Sequence, residues 1–234
     1  MSPSLLILRP EPGASETAAR AAALGITTAV APLFRIVPLA WEAPPASAFD
    51  AVLLTSANAV RHGGAALGKY RDLPIYSVGA ATAAAARAIG FRDVHAGGSD
   101  AEALVAHVVA DRRERLLHLA GREHRAIAHP EATVATRIVY ADEPLSVLPD
   151  GARSALAGGA IALLHSPRAA HLFRTLAEAA GFAPATLRIA AISPAAQAAA
   201  GDGWAAARAA AVPTDAALLD TALRLCDQRA REEG

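Results

Sequence analysis

The stretch Ala51-Val52-Leu53-Leu54-Thr55-Ser56-Ala57-Asn58-Ala59-Val60 returns about half a chain later as Ile161-Ala162-Leu163-Leu164-His165-Ser166-Pro167-Arg168-Ala169-Ala170. In each copy an apolar run reads as a buried strand, and a small hydroxyl residue then opens a helix. The echo continues in order. Ile75-Tyr76-Ser77-Val78-Gly79-Ala80-Ala81-Thr82 is answered by Ile189-Ala190-Ala191-Ile192-Ser193-Pro194-Ala195-Ala196, and Gly98-Ser99-Asp100-Ala101-Glu102-Ala103-Leu104 by Pro213-Thr214-Asp215-Ala216-Ala217-Leu218. Every junction is a helix N-terminus, where backbone N–H groups and the helix dipole attract anions. A duplicated set of such ends suits a protein that holds something negatively charged.

Working outward, Leu5–Leu8 reads as a strand, Ala14–Leu24 as a helix stopped by Gly25, and Thr27–Ala31 as a second strand. Further strands are expected at Ala51–Leu54, Leu73–Ser77, around Val94, at Leu116–Leu119, Val134–Tyr140, Ile161–Leu164, Arg188–Ala191 and Ala209–Ala211. Helices fit Ala57–Leu67, Ala80–Ile89, Asp100–Arg112, Arg168–Ala180, Pro194–Ala200 and Thr214–Arg229. This alternation predicts α/β architecture with parallel sheets. A weaker second duplication pairs Leu5-Leu6-Ile7-Leu8-Arg9 with Leu116-Leu117-His118-Leu119-Ala120. The chain order is then short unit, long unit, short unit, long unit. Pairing outer with outer gives a discontinuous domain of residues 1–36 and 143–234, and an inner domain of 37–142. The chain crosses near 33–41, through Pro32, Pro38 and Pro44-Pro45, and near 140–145. Two crossings make a two-stranded linker, with a ligand cleft expected beside it.

Composition narrows the function classes. Hydrophobic residues are 53% and charged residues 19% of the 234, with 22 basic and 22 acidic side chains giving no net charge. No block of like charge marks a nucleic-acid or membrane surface. No run approaches the roughly 20 apolar residues of a membrane span, and Met1-Ser2-Pro3-Ser4-Leu5 lacks a signal peptide's charged start, so a cytoplasmic protein is expected. Cys226 is the sole cysteine, which leaves no disulfide framework within the chain. The 8 histidines show no metal-ligand spacing. Gly63-Gly64-Ala65-Ala66-Leu67-Gly68-Lys69 has the spacing of a phosphate-binding loop. Tyr70 follows it in place of the required Ser or Thr, and the glycines end a helix instead of following a strand. No metal or cofactor is expected.

The candidate site residues are the junction hydroxyls Thr55, Ser56, Thr82, Ser99, Ser166, Ser193 and Thr214. Helix capping alone explains any one of them. Collectively they gather at the carboxyl ends of strands, where ligands of open α/β sheets bind. Tyr140 closes the Ile138-Val139-Tyr140 strand at the second crossing. Arg9 and Arg168, at strand ends, suit ligand carboxylates or plain solvation.

In this order, Leu8-Arg9-Pro10, Leu54-Thr55-Ser56-Ala57-Asn58-Ala59-Val60, Ser77-Val78-Gly79-Ala80-Ala81-Thr82, Gly121-Arg122, Val139-Tyr140, His165-Ser166-Pro167-Arg168, Ile192-Ser193-Pro194 and Pro213-Thr214 resemble the uroporphyrinogen-III synthase family along essentially the whole chain. The resemblance implies two α/β domains joined by a two-stranded linker. It also implies a cofactor-independent enzyme that takes hydroxymethylbilane, a linear tetrapyrrole fringed with carboxylates. The product forms with loss of water and inversion of the terminal pyrrole ring. The resemblance implies Tyr140 as general acid and Thr82, Ser166 and Thr214 as cleft residues; with the junction and strand-end positions the expected substrate-binding set is Arg9, Thr55, Ser56, Ala57, Asn58, Gly79, Thr82, Ser166, Arg168, Ser193 and Thr214. No exposed apolar helix stripe is evident, so a monomer is expected, with at most a transient contact to the enzyme that forms the bilane. One departure stands out: a helix is expected after Gly121-Arg122, yet Glu123–Ala132 is short and interrupted by His129-Pro130. The competing reading is a non-catalytic tetrapyrrole- or anion-binding regulatory domain of the same fold. A two-domain sugar- or amino-acid-binding protein is more remote.

Overall fold

A computed structural model describes residues 4–97 and 100–232. The chain runs β1 (Ser4–Ile7), α1 (Gly13–Ala23), β2 (Thr27–Val30), β3 (Phe34–Pro38), β4 (Ala51–Leu54), α2 (Ala57–His62), β5 (Ile75–Ser77) and α3 (Ala80–Ala88). It continues with β6 (Val94–Ala96), α4 (Ala101–Ala110), β7 (Arg115–Gly121), β8 (Thr133–Pro144) and α5 (Asp150–Ala157). It closes with β9 (Ile161–Leu164), α6 (Pro167–Ala179), β10 (Arg188–Ala191), α7 (Pro194–Ala200), β11 (Ala206–Ala209) and α8 (Asp215–Glu232). Short 3₁₀ turns lie at Ala46–Ala48, Ala65–Tyr70 and Pro184–Thr186. Among the described residues no helix is long and apolar enough to cross a membrane.

The chain divides into two compact units, Met1–Arg35 with Pro144–Gly234, and Ile36–Glu143. The first carries a sheet of order β11-β10-β9-β1-β2, with every pairing parallel. The second carries β3-β8-β7-β4-β5-β6, parallel from β8 through β6. Aligning β9-β10-β11 with β4-β5-β6, and β1-β2 with β7-β8, superimposes the two strand orders. The spatial duplication is thus the one written in the sequence, weaker pair included.

Each sheet is covered on both faces, which is why its central strands are apolar at nearly every position. Leu6 and Leu8, in and just after β1, pack with Leu156, Phe173 and Leu176 from α5 and α6. Their alternates Leu5 and Ile7 pack with Ala14, Ala21, Leu218 and Leu225 from α1 and α8. In the second unit Val52, Leu54, Leu117 and Leu119 meet Val60 and Ala86 of α2 and α3. Ala51, Leu53 and Leu116 meet Leu104, Val105 and Val108 of α4. The period-two alternation along each strand divides one apolar run between two cores.

Five elements differ from the sequence expectation. The helix expected over Ala57–Leu67 ends at His62 and gives way to the 3₁₀ turn at Ala65–Tyr70, where Gly63 and Gly64 intervene. Phe34–Pro38 is a strand, where its prolines read as a break. The Leu39 N–H donates to Val139 C=O and the Leu145 N–H to Leu33 C=O, which is antiparallel register against β8. The second sheet is therefore mixed, and Pro38 is tolerated because β3 is an edge strand. Helix α5 lies in a stretch for which no element was expected. The last strand is Ala206–Ala209, three residues before the expected position. Finally, β7 reaches β8 without a helix, through a turn closed by a His129–Ala132 bridge.

Candidate active site

Chain order reverses in each sheet where β1 lies beside β9, and where β7 lies beside β4. Such a switch point opens a crevice at the strands' carboxyl ends. The residues that follow these strands are Arg9 and His165-Ser166 in the first unit, and Thr55-Ser56 and Arg122 in the second. The candidates chosen from sequence therefore collect at two rims, one per unit.

The hydroxyls cap helices in the expected manner. Ser56 Oγ accepts from Asn58 N–H at 3.2 Å, Ser166 Oγ from Ala169 N–H at 3.1 Å, and Ser193 Oγ from Ala196 N–H at 3.2 Å. Thr214 Oγ1 accepts from Ala217 N–H at 3.3 Å. Asp100 caps α4 in the same way; Ser99 lies outside the described residues. Helix α3 differs, because no side chain caps it. Gly79 precedes it at φ +76°, a conformation that excludes most side chains and leaves a backbone-only helix mouth. Thr82, in the first turn of that helix, is 5% exposed. Ala57 and Asn58 are also buried, and Asn58 Oδ1 accepts from Arg61 at 3.2 Å.

Tyr140 is placed by a bulge. Ala120 pairs with Ile138 but Gly121 pairs with Tyr140, so one extra residue is accommodated on β8. Val139 and Tyr140 consequently pack against the same core, which consecutive residues of a regular strand cannot do. Arg122 N–H holds the kink by donating to Tyr140 C=O at 2.9 Å. The phenol ring lies over Gly121, where a Cβ would stand 2.5 Å from Cζ and 2.8 Å from the phenolic oxygen. His62 approaches the ring with centroids 6.2 Å apart. Burial pushes the phenol above its ordinary pKa of 10, and the Asp142 charge adds to that, while a hydrogen bond from Ser56 opposes it. Tyr140 is a protonated phenol at neutral pH.

The arginines are already engaged. Arg9 donates to Asp215 Oδ1 at 3.1 Å, with its guanidinium packed on Gly13. The other carboxylate oxygen accepts from Thr17 at 2.6 Å and Arg20 at 2.7 Å. Burial alone would raise the Asp215 carboxyl; the Thr17 hydroxyl and the charges of Arg9 and Arg20 reverse this and hold it below the usual range. This cluster ties α1 to the start of α8. Arg168 stacks over the Phe34 ring at 4.6 Å.

Two buried histidines escaped the sequence reading. His118, inside β7, sets Nε2 3.2 Å from Thr55 Oγ1. His165, its side chain 6% exposed, sets Nε2 3.4 Å from Asp215 Oδ1. Burial lowers both to a pKa of about 4; His124 contributes at His118, and Arg9 at His165 against the opposing pull of Asp215. The available signal was a lone polar residue in an apolar strand, Leu116-Leu117-His118-Leu119. Among the described residues no group of three His, Cys, Asp or Glu side chains is placed to hold a metal ion.

A family model described as uroporphyrinogen-III synthase HemD matches residues 15–220. Among solved structures, the Helicobacter pylori 26695 uroporphyrinogen-III synthetase is similar at a TM-score of 0.59 and 17% identity, over 96% of this chain and 100% of that one. At that identity the likeness is one of fold. The wild-type uroporphyrinogen III synthase of the extremely thermophilic bacterium Thermus thermophilus aligns over 100% of both chains at 15% identity, with a TM-score of 0.39. No curated protein matches the chain.

Proposed function

The chain belongs to the uroporphyrinogen-III synthase family, and from that membership we propose that it closes hydroxymethylbilane to uroporphyrinogen III. Water is lost and the terminal pyrrole ring is inverted through a spirocyclic intermediate. The observation that carries this reading is the seating of Tyr140 by the β7–β8 bulge at a switch-point rim, beside the capped end of α2.

The substrate's acetate and propionate groups are anions, and the rims offer helix N-termini as hosts. Backbone N–H groups bind carboxylates without a basic surface, so zero net charge is compatible with a polyanionic substrate. Ser166, Ser193, Thr214 and the uncapped mouth of α3 serve this purpose, with Thr55, Ser56 and Thr82 as hydroxyl contacts. Arg9 supports the rim from within its ion pair with Asp215, and Arg168 from its stack on Phe34.

The linear substrate can close without inverting its last ring, so the enzyme's main task is to impose shape. Holding reacting carbons in a near-attack arrangement contributes roughly 7–11 kcal/mol in favourable cases. The hydroxyl must also leave. Tyr140, protonated and held over Gly121 by the bulge, donates a hydrogen bond to the departing oxygen or to a water beside it. Its raised pKa makes it a weaker acid than a free phenol, so positioning outweighs proton transfer. The test is to supply hydroxymethylbilane to the purified protein and separate the product isomers by chromatography. Type III product supports the reading. Type I alone, from a protein that still binds porphyrinogen, contradicts it and favours a regulatory binding domain.

A further inference from the structure

We infer that His118 is a positioning residue, donating from Nε2 to Thr55 Oγ1 so that the Thr55 hydroxyl presents its own proton to a substrate carboxylate. The inference rests on the synthase reading for its ligand, but its first step concerns the folded protein alone.

His118 is 1% exposed and sits mid-strand on β7, paired in register with Leu53. Its hydrogen-bond neighbour is Thr55, whose Oγ1 lies 3.2 Å from Nε2. Nδ1 is enclosed and has no hydrogen-bond partner among the described residues. The ring of His124 stands edge-on with its centroid 5.7 Å away and makes no hydrogen bond to Nδ1. Burial keeps the His118 ring neutral at pH 7. A neutral imidazole carries one proton, and the two ring nitrogens compete for it. On Nδ1 the proton would be a buried donor without an acceptor, a rarely tolerated state; a bare lone pair there is the lesser penalty. The proton therefore sits on Nε2 and points at Thr55.

This fixes the role of Thr55. A hydroxyl can donate once and accept twice. With His118 donating, Thr55 Oγ1 is an acceptor toward the core, and its hydrogen is left for a partner outside the protein. Thr55 is half-buried, follows β4 at its carboxyl end, and adjoins Ser56, which contacts Tyr140. A threonine without this neighbour would present either a lone pair or a proton. Beside His118 it presents a proton, which suits an anion and disfavours a donor.

Long-range ¹H–¹⁵N spectra of the imidazoles, assigned by comparison with His118→Gln, read the tautomer directly. The Nε2–H form is expected at pH 7, and the Nδ1–H form overturns the inference. For function, His118→Leu should raise KM for hydroxymethylbilane roughly fivefold, the scale of one hydrogen bond, with kcat changed less than about twofold. His118→Gln, whose amide N–H can replace Nε2–H, should restore KM. In a Thr55→Val background His118→Leu should add nothing; an equal loss there means a structural role and overturns the inference. Wild-type protein that yields no type III product refutes the synthase reading instead, and the tautomer measurement still decides the geometry.

Discussion

Replacing Gly121 with alanine sets a methyl carbon 2.5 Å from Tyr140 Cζ, 2.6 Å from Cε2 and 2.8 Å from the phenolic oxygen. Carbon atoms rest at about 3.5–4.0 Å, so ring or strand must give by about 1 Å. The ring is confined by the core that also holds Val139, and overpacking of this kind costs about 1–3 kcal/mol. A shift of about 1 Å also exceeds the roughly 0.5 Å width of the O–H···O hydrogen-bond window, so the phenol can no longer meet a partner from the position the fold gives it. Gly121→Ala should therefore lower stability by about 1–3 kcal/mol in urea unfolding, and reduce kcat at least as far as Tyr140→Phe does. The diagnostic comparison is a double-mutant cycle. In a Tyr140→Ala background the methyl group has room, and the same substitution should change stability by less than about 0.5 kcal/mol. An equal penalty in both backgrounds, or a Gly121→Ala enzyme with wild-type type III output, refutes the claim that Gly121 exists to seat Tyr140.

Other expectations follow from the same geometry. Tyr140→Phe keeps the ring and loses the donor, so type III formation should fall by up to about 10²-fold without vanishing; wild-type turnover removes Tyr140 from the mechanism. Asp215→Ala strands Arg9 and Thr17 and should destabilise the protein by about 2–3 kcal/mol in urea titration, with Asp215→Asn intermediate; a neutral result shows the cluster to be ornamental. His118 and His165 titrate near pH 4 in the fold against about 6.5 when unfolded. The unfolded chain binds more protons in that window, so stability should fall as pH drops from about 6.5 toward 4, by up to about 3 kcal/mol per histidine. Asp215, held below its usual value, adds a further loss only below about pH 4. Urea midpoints that are flat between about pH 6.5 and 4.5 contradict the buried-neutral assignment, and His118→Gln should remove part of the slope.

The duplication was legible because it rests on order: apolar run, hydroxyl, helix, repeated along the chain, with Leu5–Leu8 answering Leu116–Leu119. Strand order then follows from pairing equivalent pieces. What escaped the sequence has local causes. Phe34–Pro38 hides behind prolines that only an edge strand accepts. Ala206–Ala209 lies in an alanine-rich run where hydrophobic periodicity has no contrast, so its register slid by three residues; Asp150–Ala157 is short and carries Gly151 in its first turn. At the site, capping hydroxyls can be read from strand–helix junctions, because the cap is a local device. The bulge that turns Tyr140 over Gly121, the Asp215 cluster that engages Arg9, and the burial of His118 beside Thr55 all depend on pairs far apart in the chain. Spacing alone gives no access to those.

Backbone amide spectra recorded while the protein is titrated with uroporphyrinogen III locate the ligand on the helix openings. Shifts should concentrate at residues 55–58, 79–82, 166–169, 193–196 and 214–217, with the opposite ends of both sheets unmoved. Shifts at the amino-terminal sheet ends, or none at the helix openings with product in excess, would contradict that placement.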